Sequence, residues 1–305
     1  MIIDAHCHQW NLALGRHAWL DAPDAGPLRR TFDRADHYAA SHGLPLDGTV
    51  CVQAEESAAE LAWLRRPRTS PGVPVLGVVA AVDLCGPQLG AYVESFGDRE
   101  SATAHGIVPV VGVRDSRMLA TGPRPAPSTM ALLAARGLTV DLLVPDPGRL
   151  GAAVDLVAAH PANSFVLDHL PQVSAPARTA AAHRAALGAL AELPNLTVKV
   201  SGLRASPDSH GEPLRRLLAA AFGVFGPRRL MYGSDWPVST PGRAPAASVD
   251  TLREHLPDLT GTEQDAFWHR TARTAYGLSP GPDAQDRHRH PGHLPPHTED
   301  GPEAP

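Results

Sequence analysis

Short apolar runs rich in β-branched residues recur along the chain, and a longer segment rich in Ala and Leu follows most of them. Such runs predict strands, and the Ala/Leu-rich segments, which end at Pro or Gly, predict helices. The eight predicted strands are Ile2 to His6, Gly48 to Gln53, Val75 to Asp83, Val108 to Arg114, Leu138 to Val144, Ser164 to His169, Leu196 to Ser201 and Arg229 to Ser234. Several are apolar almost without interruption, which is typical of strands covered on both faces.

This alternation of strands and helices predicts an α/β fold, a (β/α)8 TIM barrel. From His6 to Asp235 the strand ends recur about every 33 residues, which suits a closed barrel. An open doubly wound sheet is the alternative, but polar residues at the C-terminal ends of eight strands favour closure. The last predicted helices cover Ala246 to His255 and Glu263 to Tyr276, so residues 1–278 are predicted to form the barrel domain.

After Leu278 the composition changes to Pro, Gly, His and acidic residues. Such a segment buries too little apolar surface to fold, so residues 279–305 are predicted to be a disordered Pro/His-rich tail. Its histidines could bind metal weakly, although incidental histidines on a solvated tail are the simpler interpretation.

Composition and charge restrict the possible functions. The 305 residues are 43% hydrophobic and 19% charged, which is typical of a globular protein. The net charge of -5 gives no basic field for nucleic acid, so a small-molecule partner is expected. The chain begins directly with a predicted strand and has no apolar run long enough to span a bilayer, which predicts a cytoplasmic protein without a membrane partner. Oligomeric state is left open.

The three cysteines are predicted to be reduced, buried thiols. Cys7, Cys51 and Cys85 all lie inside or beside predicted strands, where buried thiols are common. They are too few to form a disulfide framework.

The sequence His6-Cys7-His8 offers half of a metal site. Alternation along a strand places both imidazoles on the same side, the barrel interior, while Cys7 points toward the helices. Two convergent imidazoles at the C-terminal end of a strand are typical metal ligands, although this short motif alone is weak evidence.

Asp235 follows the eighth strand, between a Gly-Ser pair and a Trp-Pro pair. Barrels present catalytic groups at this position, which predicts a catalytic Asp235, whereas the structural alternative is a turn cap. His169, at the end of the sixth strand, is a further candidate. It could be a third metal ligand or a catalytic group that hydrogen-bonds the substrate, and the alternative is a core histidine.

The chain resembles the amidohydrolase superfamily, and within it the amidohydrolase-2 branch that contains sugar-acid and dicarboxylate lactonases. The matching stretches occur in order from Ile3 to about Leu278. They are Asp4 to Trp10, Thr49 to Glu55, Val82 to Leu84, Val111 to Arg114, Val166 to Leu170, Val198 to Leu203 and the block that ends at Pro237.

The resemblance implies a hydrolase that opens a lactone by attack of water on the ring carbonyl, with Asp235 as general base. It implies a centre of His6, His8, His169 and Asp235 that holds one divalent metal, usually zinc, or in some relatives none. A second metal is not expected, because no lysine is placed as a carboxylated bridge and the fifth strand offers Asp141 where a histidine would be needed.

The predicted substrate-binding residues end other strands. Arg114 suits a carboxylate or paired hydroxyls, although a salt bridge to Asp83, Asp115 or Asp141 is the structural alternative. Gln53 and Glu55 could bind hydroxyls. Lys199 is a further candidate, and if it points inward it needs a carboxylate such as Asp141 or Asp168. Trp236, with Trp10, could form a pocket wall. Asp115 would disfavour a polyanionic substrate if it faces the site.

Two alternative functions remain at this stage. Relatives with a similar set of His and Asp residues are metal-dependent, non-oxidative decarboxylases. A barrel that binds a ligand without catalysis is the third possibility, although four convergent polar groups argue against it. The substrate cannot be named from the sequence, because specificity depends on the loops after the strands.

Overall fold

Eight parallel strands form one sheet in which each strand pairs with its neighbour in the sequence. The computed structural model describes residues 1–67, 72–120, 122–144, 147–170, 180–203, 211–239 and 245–279. The strands are β1 (Ile2–Cys7), β2 (Leu46–Val52), β3 (Val75–Ala81), β4 (Val110–Arg114), β5 (Thr139–Leu143), β6 (Phe165–Asp168), β7 (Leu196–Val200) and β8 (Leu230–Tyr232). Each lies within or close to a strand predicted from the sequence.

The sheet closes where the chain that follows β8 meets β1. The Asp235 amide donates to the His6 carbonyl at 2.7 Å, and the His8 amide donates to the Trp236 carbonyl at 2.7 Å. Sequential strand order with this closure confirms the (β/α)8 barrel and excludes the doubly wound alternative, in which strand order reverses at one point.

Helices pack around the outside of the barrel. They are α1 (Arg34–Ala40), α2 (Ala58–Arg65), α3 (Leu89–Glu94), α4 (Arg99–Ala104), α5 (Pro127–Ala135), α6 (Leu150–Ala159), α7 (Ala180–Ala191), α8 (Gly211–Phe225), α9 (Pro245–His255), α10 (Gly261–Asp265) and α11 (Thr271–Tyr276). The last predicted helix is interrupted, because residues Ala266–Arg270 form a π-helical segment between α10 and α11.

The barrel interior is layered. At its N-terminal end an apolar cluster forms between the strands and α11, and it contains Ile3, Ala5, Val50, Val52 and Tyr276. The Thr139 hydroxyl fixes α11 in this position by donating to the Ala275 carbonyl at 2.7 Å. The polar residues therefore lie above a packed floor, at the C-terminal ends of the strands.

Strand β1 contains a register shift between Asp4 and Cys7. Cys7 packs in the large cluster between sheet and helices, and Asp4 lies beside His37 of α1. Both residues therefore face the helices although they are three positions apart, which simple alternation does not allow. Bulges of this kind redirect side chains near functional sites, and here the shift leaves both His6 and His8 facing the interior.

Three further sequence predictions can be compared with the structure. Cys7 and Cys51 are buried free thiols as predicted, but the prediction is wrong for Cys85, which is exposed because it follows the end of β3 in a surface turn. No helix among the described residues has the length and apolar character needed to cross a bilayer. Apart from Ser279, the predicted tail lies outside the described residues.

Candidate active site

Four polar side chains from three parts of the barrel converge at the C-terminal ends of the strands. We call His6, His8, His169 and Asp235 the polar centre. The Nε2 atoms of His6 and His8 are 3.1 Å apart, and Oδ1 of Asp235 lies 3.5 Å from the first and 3.3 Å from the second. His169 approaches from β6, with its ring centroid 4.7 Å from that of His6. The four residues that the sequence predicted as a metal centre are thus close together.

The backbone positions two of these side chains in an unusual way. His169 and Asp235 have positive φ angles of 57° and 53°, a region that residues with a Cβ rarely occupy. His169 directly follows β6 and Asp235 lies three residues after the end of β8, so the left-handed conformation turns each side chain into the barrel mouth. Strained backbone of this kind is concentrated at functional sites.

Two glycines provide the space for the imidazoles. A Cβ at Gly202 would lie 2.8 Å from the His169 ring, and a Cβ at Gly233 would lie 2.7 Å from the Cβ of His6. Any larger residue at either position would displace a histidine of the polar centre. These glycines follow β7 and β8, and no sequence motif indicates this role.

The protonation of His8 follows from its neighbours. Its Nδ1 lies 2.8 Å from the carbonyl oxygen of Val52, which can only accept a hydrogen bond. Nδ1 therefore carries the proton, and Nε2 of a neutral His8 presents a lone pair to the polar centre. A second group that fixes a ligating histidine in this way is typical of metal sites.

The polar centre fits a divalent cation. Oδ1 of Asp235 is buried and accepts no hydrogen bond from the described residues, while Ser239 donates to Oδ2. Ligand atoms of His6, His169 and Asp235 all lie within 4.8 Å of one another. Imidazole nitrogens with one carboxylate form a donor set that suits zinc. The group could therefore hold a metal.

Electrostatics keep the centre in its metal-binding protonation states. Burial lowers the pKa of His6 well below its ordinary value, and the charge of Lys199 lowers it further. Burial also lowers the pKa of His169. Burial raises the pKa of Asp235, but the neighbouring His169, His8 and His6 outweigh this and lower it below the ordinary value of a carboxyl. Asp235 is therefore a carboxylate beside the neutral imidazoles of His6 and His169.

A layer of buried charges lies directly behind the polar centre. The Lys199 ammonium donates to Asp141 at 2.6 Å and to Asp168 at 2.8 Å, and it lies 3.2 Å from Nδ1 of His6. The Tyr276 hydroxyl also donates to Asp141. The expectation that an inward Lys199 pairs with Asp141 or Asp168 is confirmed. Lys199, which the sequence predicted to bind substrate, is fully buried, and its ammonium lies against Asp141, Asp168 and His6.

Arg114 lies between this charged layer and an open cavity. Its side chain is 11% exposed, and its guanidinium reaches Asp168 at 3.4 Å and donates to the Gln53 carbonyl at 3.3 Å. A cavity of about 260 Å³ adjoins it, and the wall includes Trp19, Gln53, Glu55, Arg114 and Asp115. The structure thus brings three of the five predicted substrate-binding residues to one cavity.

Several residues beside this cavity have their polar groups occupied. The Gln53 side chain donates to the Ser57 carbonyl and accepts from the Ala81 amide. Asp115 accepts from the amides of Leu84 and Arg117. Both side chains therefore hold loops in place. The carboxylate of Glu55 makes no hydrogen bond or ion pair with the described residues, which leaves it available to a ligand.

The aromatic wall differs from the prediction. Trp236 packs edge to face on Phe32, and Trp10 lies in the same apolar cluster, where its indole donates to the Arg30 carbonyl at 2.7 Å. Packing therefore accounts for both residues. Trp19, from the loop after β1, contributes the indole on the cavity wall, and the sequence offers no motif that would have identified it.

Comparison with known proteins agrees with this geometry. A family model described as amidohydrolase matches residues 3–278. An L-fucono-1,5-lactonase of Burkholderia multivorans is 31% identical over 304 residues, which cover 93% of this chain and 98% of that protein. A second L-fucono-1,5-lactonase, from Burkholderia ambifaria, is 28% identical over 78% of this chain and 80% of its own length.

A solved structure extends the agreement to three dimensions. The crystal structure of an amidohydrolase from Burkholderia multivorans with bound zinc has a TM-score of 0.74 and 26% identity, and the match covers 92% of this chain and 100% of that chain. The family match spans every strand of the barrel and all four residues of the polar centre. The chain therefore belongs to the amidohydrolase family and is an enzyme of the hydrolase class.

Proposed function

We propose that this enzyme hydrolyses a lactone of a sugar acid or of a related carboxylated compound, with Asp235 as the general base. The observation that carries the proposal is the free Oδ1 of Asp235, buried beside the imidazoles of His6 and His8. The names of the two Burkholderia relatives support the lactone as substrate class.

Asp235 is suited to the proton transfers of this reaction. Its Oδ1 would accept a proton from the attacking water, while the Ser239 hydroxyl holds Oδ2 in place. Water attacks the ring carbonyl, the bond between the carbonyl carbon and the ring oxygen breaks, and Asp235 returns the proton to the departing oxygen. The product is the open hydroxy acid. Because the pKa of Asp235 is depressed, the base is ionised in neutral solution.

The histidines would hold one divalent cation together with Asp235. When bound there, zinc would polarise the lactone carbonyl and lower the pKa of the attacking water. The chain itself contributes orientation, since the Val52 carbonyl fixes the ring of His8 and the Ser201 hydroxyl lies 3.0 Å from Nδ1 of His169. We propose a mononuclear centre, because Lys199, the lysine behind it, is engaged by Asp141 and Asp168.

The cavity beside Arg114 favours a hydroxylated substrate over a polycarboxylate. Arg114 can donate two parallel hydrogen bonds to neighbouring oxygens, and Glu55 can accept from a hydroxyl. A dicarboxylate would meet the negative charge of Glu55 next to the only partly exposed Arg114. Trp19 adds an apolar surface that suits the carbon face of a sugar ring.

The proposal is tested with the full-length enzyme, supplied with zinc, on aldonic acid lactones of five-membered and six-membered rings, a dicarboxylated lactone and a simple ester. Acid release and carbon dioxide release are measured together. We expect acid release that is fastest with hydroxylated lactones. Carbon dioxide from aromatic carboxylic acids without acid release from any lactone would instead establish the decarboxylase alternative.

The role of Asp235 is tested by Asp235→Asn. We expect kcat to fall by about 10² to 10⁴, the usual contribution of a general base. The same substitution at Asp155, an exposed carboxylate paired with Arg124, serves as the control and should leave kcat unchanged. An Asp235→Asn variant with the wild-type kcat would show that Asp235 is not the base.

A further inference from the structure

His6 has two possible partners at the nitrogen that faces away from the polar centre. Its Nδ1 lies 3.2 Å from the ammonium of Lys199 and 3.2 Å from the carboxylate Oδ1 of Asp168. The first group can only donate a hydrogen bond, and the second, as a carboxylate, can only accept one. A neutral imidazole carries one proton, so His6 can satisfy only one of these two neighbours at a time.

In one tautomer of His6, hydrogen bonds satisfy both His6 and His8 without a cation. If Lys199 donates to Nδ1 of His6, the proton of His6 is on Nε2, which lies 3.1 Å from Nε2 of His8. Because Nδ1 of His8 donates to the Val52 carbonyl, Nε2 of His8 is free to accept that proton. A continuous chain of hydrogen bonds then runs from Lys199 through His6 and His8 to Val52.

The other tautomer opens the centre to a cation. If Nδ1 of His6 donates to Asp168, Nε2 of His6 carries no proton. Three atoms without protons then face one another: Nε2 of His6, Nε2 of His8 and Oδ1 of Asp235, with separations of 3.1 to 3.5 Å. Such a group of acceptors is stable only when a cation lies among them.

We propose that Lys199 and Asp168 compete for Nδ1 of His6, and that this buried pair thereby sets the affinity of the polar centre for zinc. Lys199 favours the closed network and lowers the affinity, whereas Asp168 favours the open site and raises it. The change moves one proton from Nε2 to Nδ1 of the same ring, so His6 stays neutral and no proton is gained or lost. The proposal concerns occupancy of the centre and does not depend on which substrate the enzyme takes.

The surrounding residues are consistent with this role. Lys199 and Asp168 are fully buried, so neither group is screened by water. Asp141 accepts from the ammonium at 2.6 Å and also accepts from the Tyr276 hydroxyl. Lys199 is therefore a positioning residue that acts on the site through His6, and the same holds for Asp168.

The first test measures zinc affinity with a competing chelator in full-length variants. In the double variant Lys199→Met with Asp141→Leu, which removes the buried ammonium together with its second carboxylate, we expect the zinc dissociation constant to fall by about tenfold or more. In Asp168→Leu we expect it to rise by a similar factor. Asp141→Asn keeps Lys199 and Asp168 in place and is the matched control, with an expected change of less than about threefold.

The variant His8→Gln measures zinc binding outside the polar centre, which must be subtracted because the C-terminal segment contains further histidines. Zinc affinity is measured because Asp168 also contacts Arg114. A change in turnover alone could come from weaker zinc binding or from weaker substrate binding. Opposite shifts in the two test variants support the proposal, and equal or absent shifts overturn it.

The second test distinguishes competition for His6 from a simple charge effect. Long-range ¹H–¹⁵N NMR of histidine-labelled protein reports which ring nitrogen is protonated, and the His6 signal is assigned by its loss in His6→Asn. We expect Nε2–H in the zinc-free wild type and Nδ1–H after zinc is added. In zinc-free Lys199→Met with Asp141→Leu we expect Nδ1–H already.

A charge effect alone would change the affinities but leave the tautomer of His6 the same with and without zinc, and this result would overturn the proposal. The wild-type measurement decides the matter even if a variant fails to fold.

Discussion

Two buried clusters lie on opposite sides of strand β1. The first is the polar centre in the barrel interior. The second, which we call the outward cluster, lies against α1 and consists of Asp4, Cys7, His37, Thr49 and Ser234. In each cluster three His, Cys or Asp side chains bring ligand atoms to within 4.8 Å of one another. By residue type and spacing alone, both would be candidate metal sites.

The clusters differ in how their hydrogen bonds are satisfied. Asp4 accepts from the amide and hydroxyl of Ser234 at 2.8 and 2.6 Å, and Cys7 lies 3.0 Å from the Thr49 hydroxyl. No atom of the outward cluster is among the buried polar atoms without a partner in the described chain, whereas Oδ1 of Asp235 is. A satisfied cluster needs nothing further, and an unsatisfied one indicates a ligand.

The outward cluster nevertheless supports the polar centre. Asp4 also accepts from the His6 amide at 3.2 Å, so a single carboxylate connects β1 to the segment after β8 that carries Asp235. The comparison therefore separates a cluster with an unsatisfied buried oxygen, which could bind a ligand, from a cluster whose hydrogen bonds hold the first one in place.

The strongest test of this difference is a matched pair of histidine substitutions. In His8→Gln we expect zinc affinity to fall by about 100-fold or more, because a direct ligand should cost at least as much as an outer-shell partner. In His37→Gln we expect unchanged zinc affinity and lower thermal stability. Chelator competition and thermal unfolding measure the two effects. Loss of zinc binding in His37→Gln would place a metal in the outward cluster instead.

The stability of the two clusters should also differ in its dependence on pH. Behind the polar centre, Lys199 is paired with two buried carboxylates, Asp141 and Asp168. Burial raises the pKa of Asp141 from its ordinary 3.8 to about 7, although Lys199 opposes this. Between about pH 4 and 7 the folded state thus keeps a proton that the unfolded chain has released, and stability falls as the pH rises through this window. We expect a loss of about 2 to 4 kcal/mol by urea unfolding.

Asp141→Asn is the control for this effect. It removes the titrating group and should flatten the dependence over the same window. An equal slope in the variant and the wild type would assign the effect to another group.

Asp4→Asn tests the support that the outward cluster gives. The amide cannot accept all the hydrogen bonds that the carboxylate accepts, so we expect the free energy of unfolding to fall by about 1 to 3 kcal/mol. Because the His6 amide and Ser234 are affected together, kcat should also decrease. Ser234→Ala, which removes only the hydroxyl donor, should produce a smaller loss of stability. An Asp4→Asn variant with wild-type stability and wild-type kcat would contradict the supporting role of the outward cluster.

The smallest expected effect is that of Cys7→Ala. The thiol is buried in the large apolar cluster and lies 3.0 Å from the Thr49 hydroxyl, which also donates to the Asp4 carbonyl at 3.1 Å. We expect a loss of about 1 kcal/mol in unfolding free energy, the cost of removing one small buried group, with zinc affinity and kcat unchanged. Equilibrium unfolding and a zinc titration are sufficient to measure this.

The polar centre could largely be predicted from the sequence, whereas its supporting residues could not. His6, His8, His169 and Asp235 all lie within three residues of the C-terminal end of a strand, and a closed parallel barrel brings all these ends to one face. Glu55 and Arg114 reach the cavity for the same reason. In contrast, the ion pairs of Lys199 with Asp141 and Asp168 depend on how β7 lies relative to β5 and β6, so the sequence left the direction of the Lys199 side chain open.

The sequence by itself determined the order of strands and helices, the barrel and the identity of the four residues at its mouth, because these follow from local periodicity and position along the chain. Only the tertiary structure decided which polar atoms are satisfied. The register shift in β1, the room left by Gly202 and Gly233, and the unpartnered Oδ1 of Asp235 all depend on contacts between segments far apart in sequence. The local pattern of apolar and polar residues does not predict such contacts.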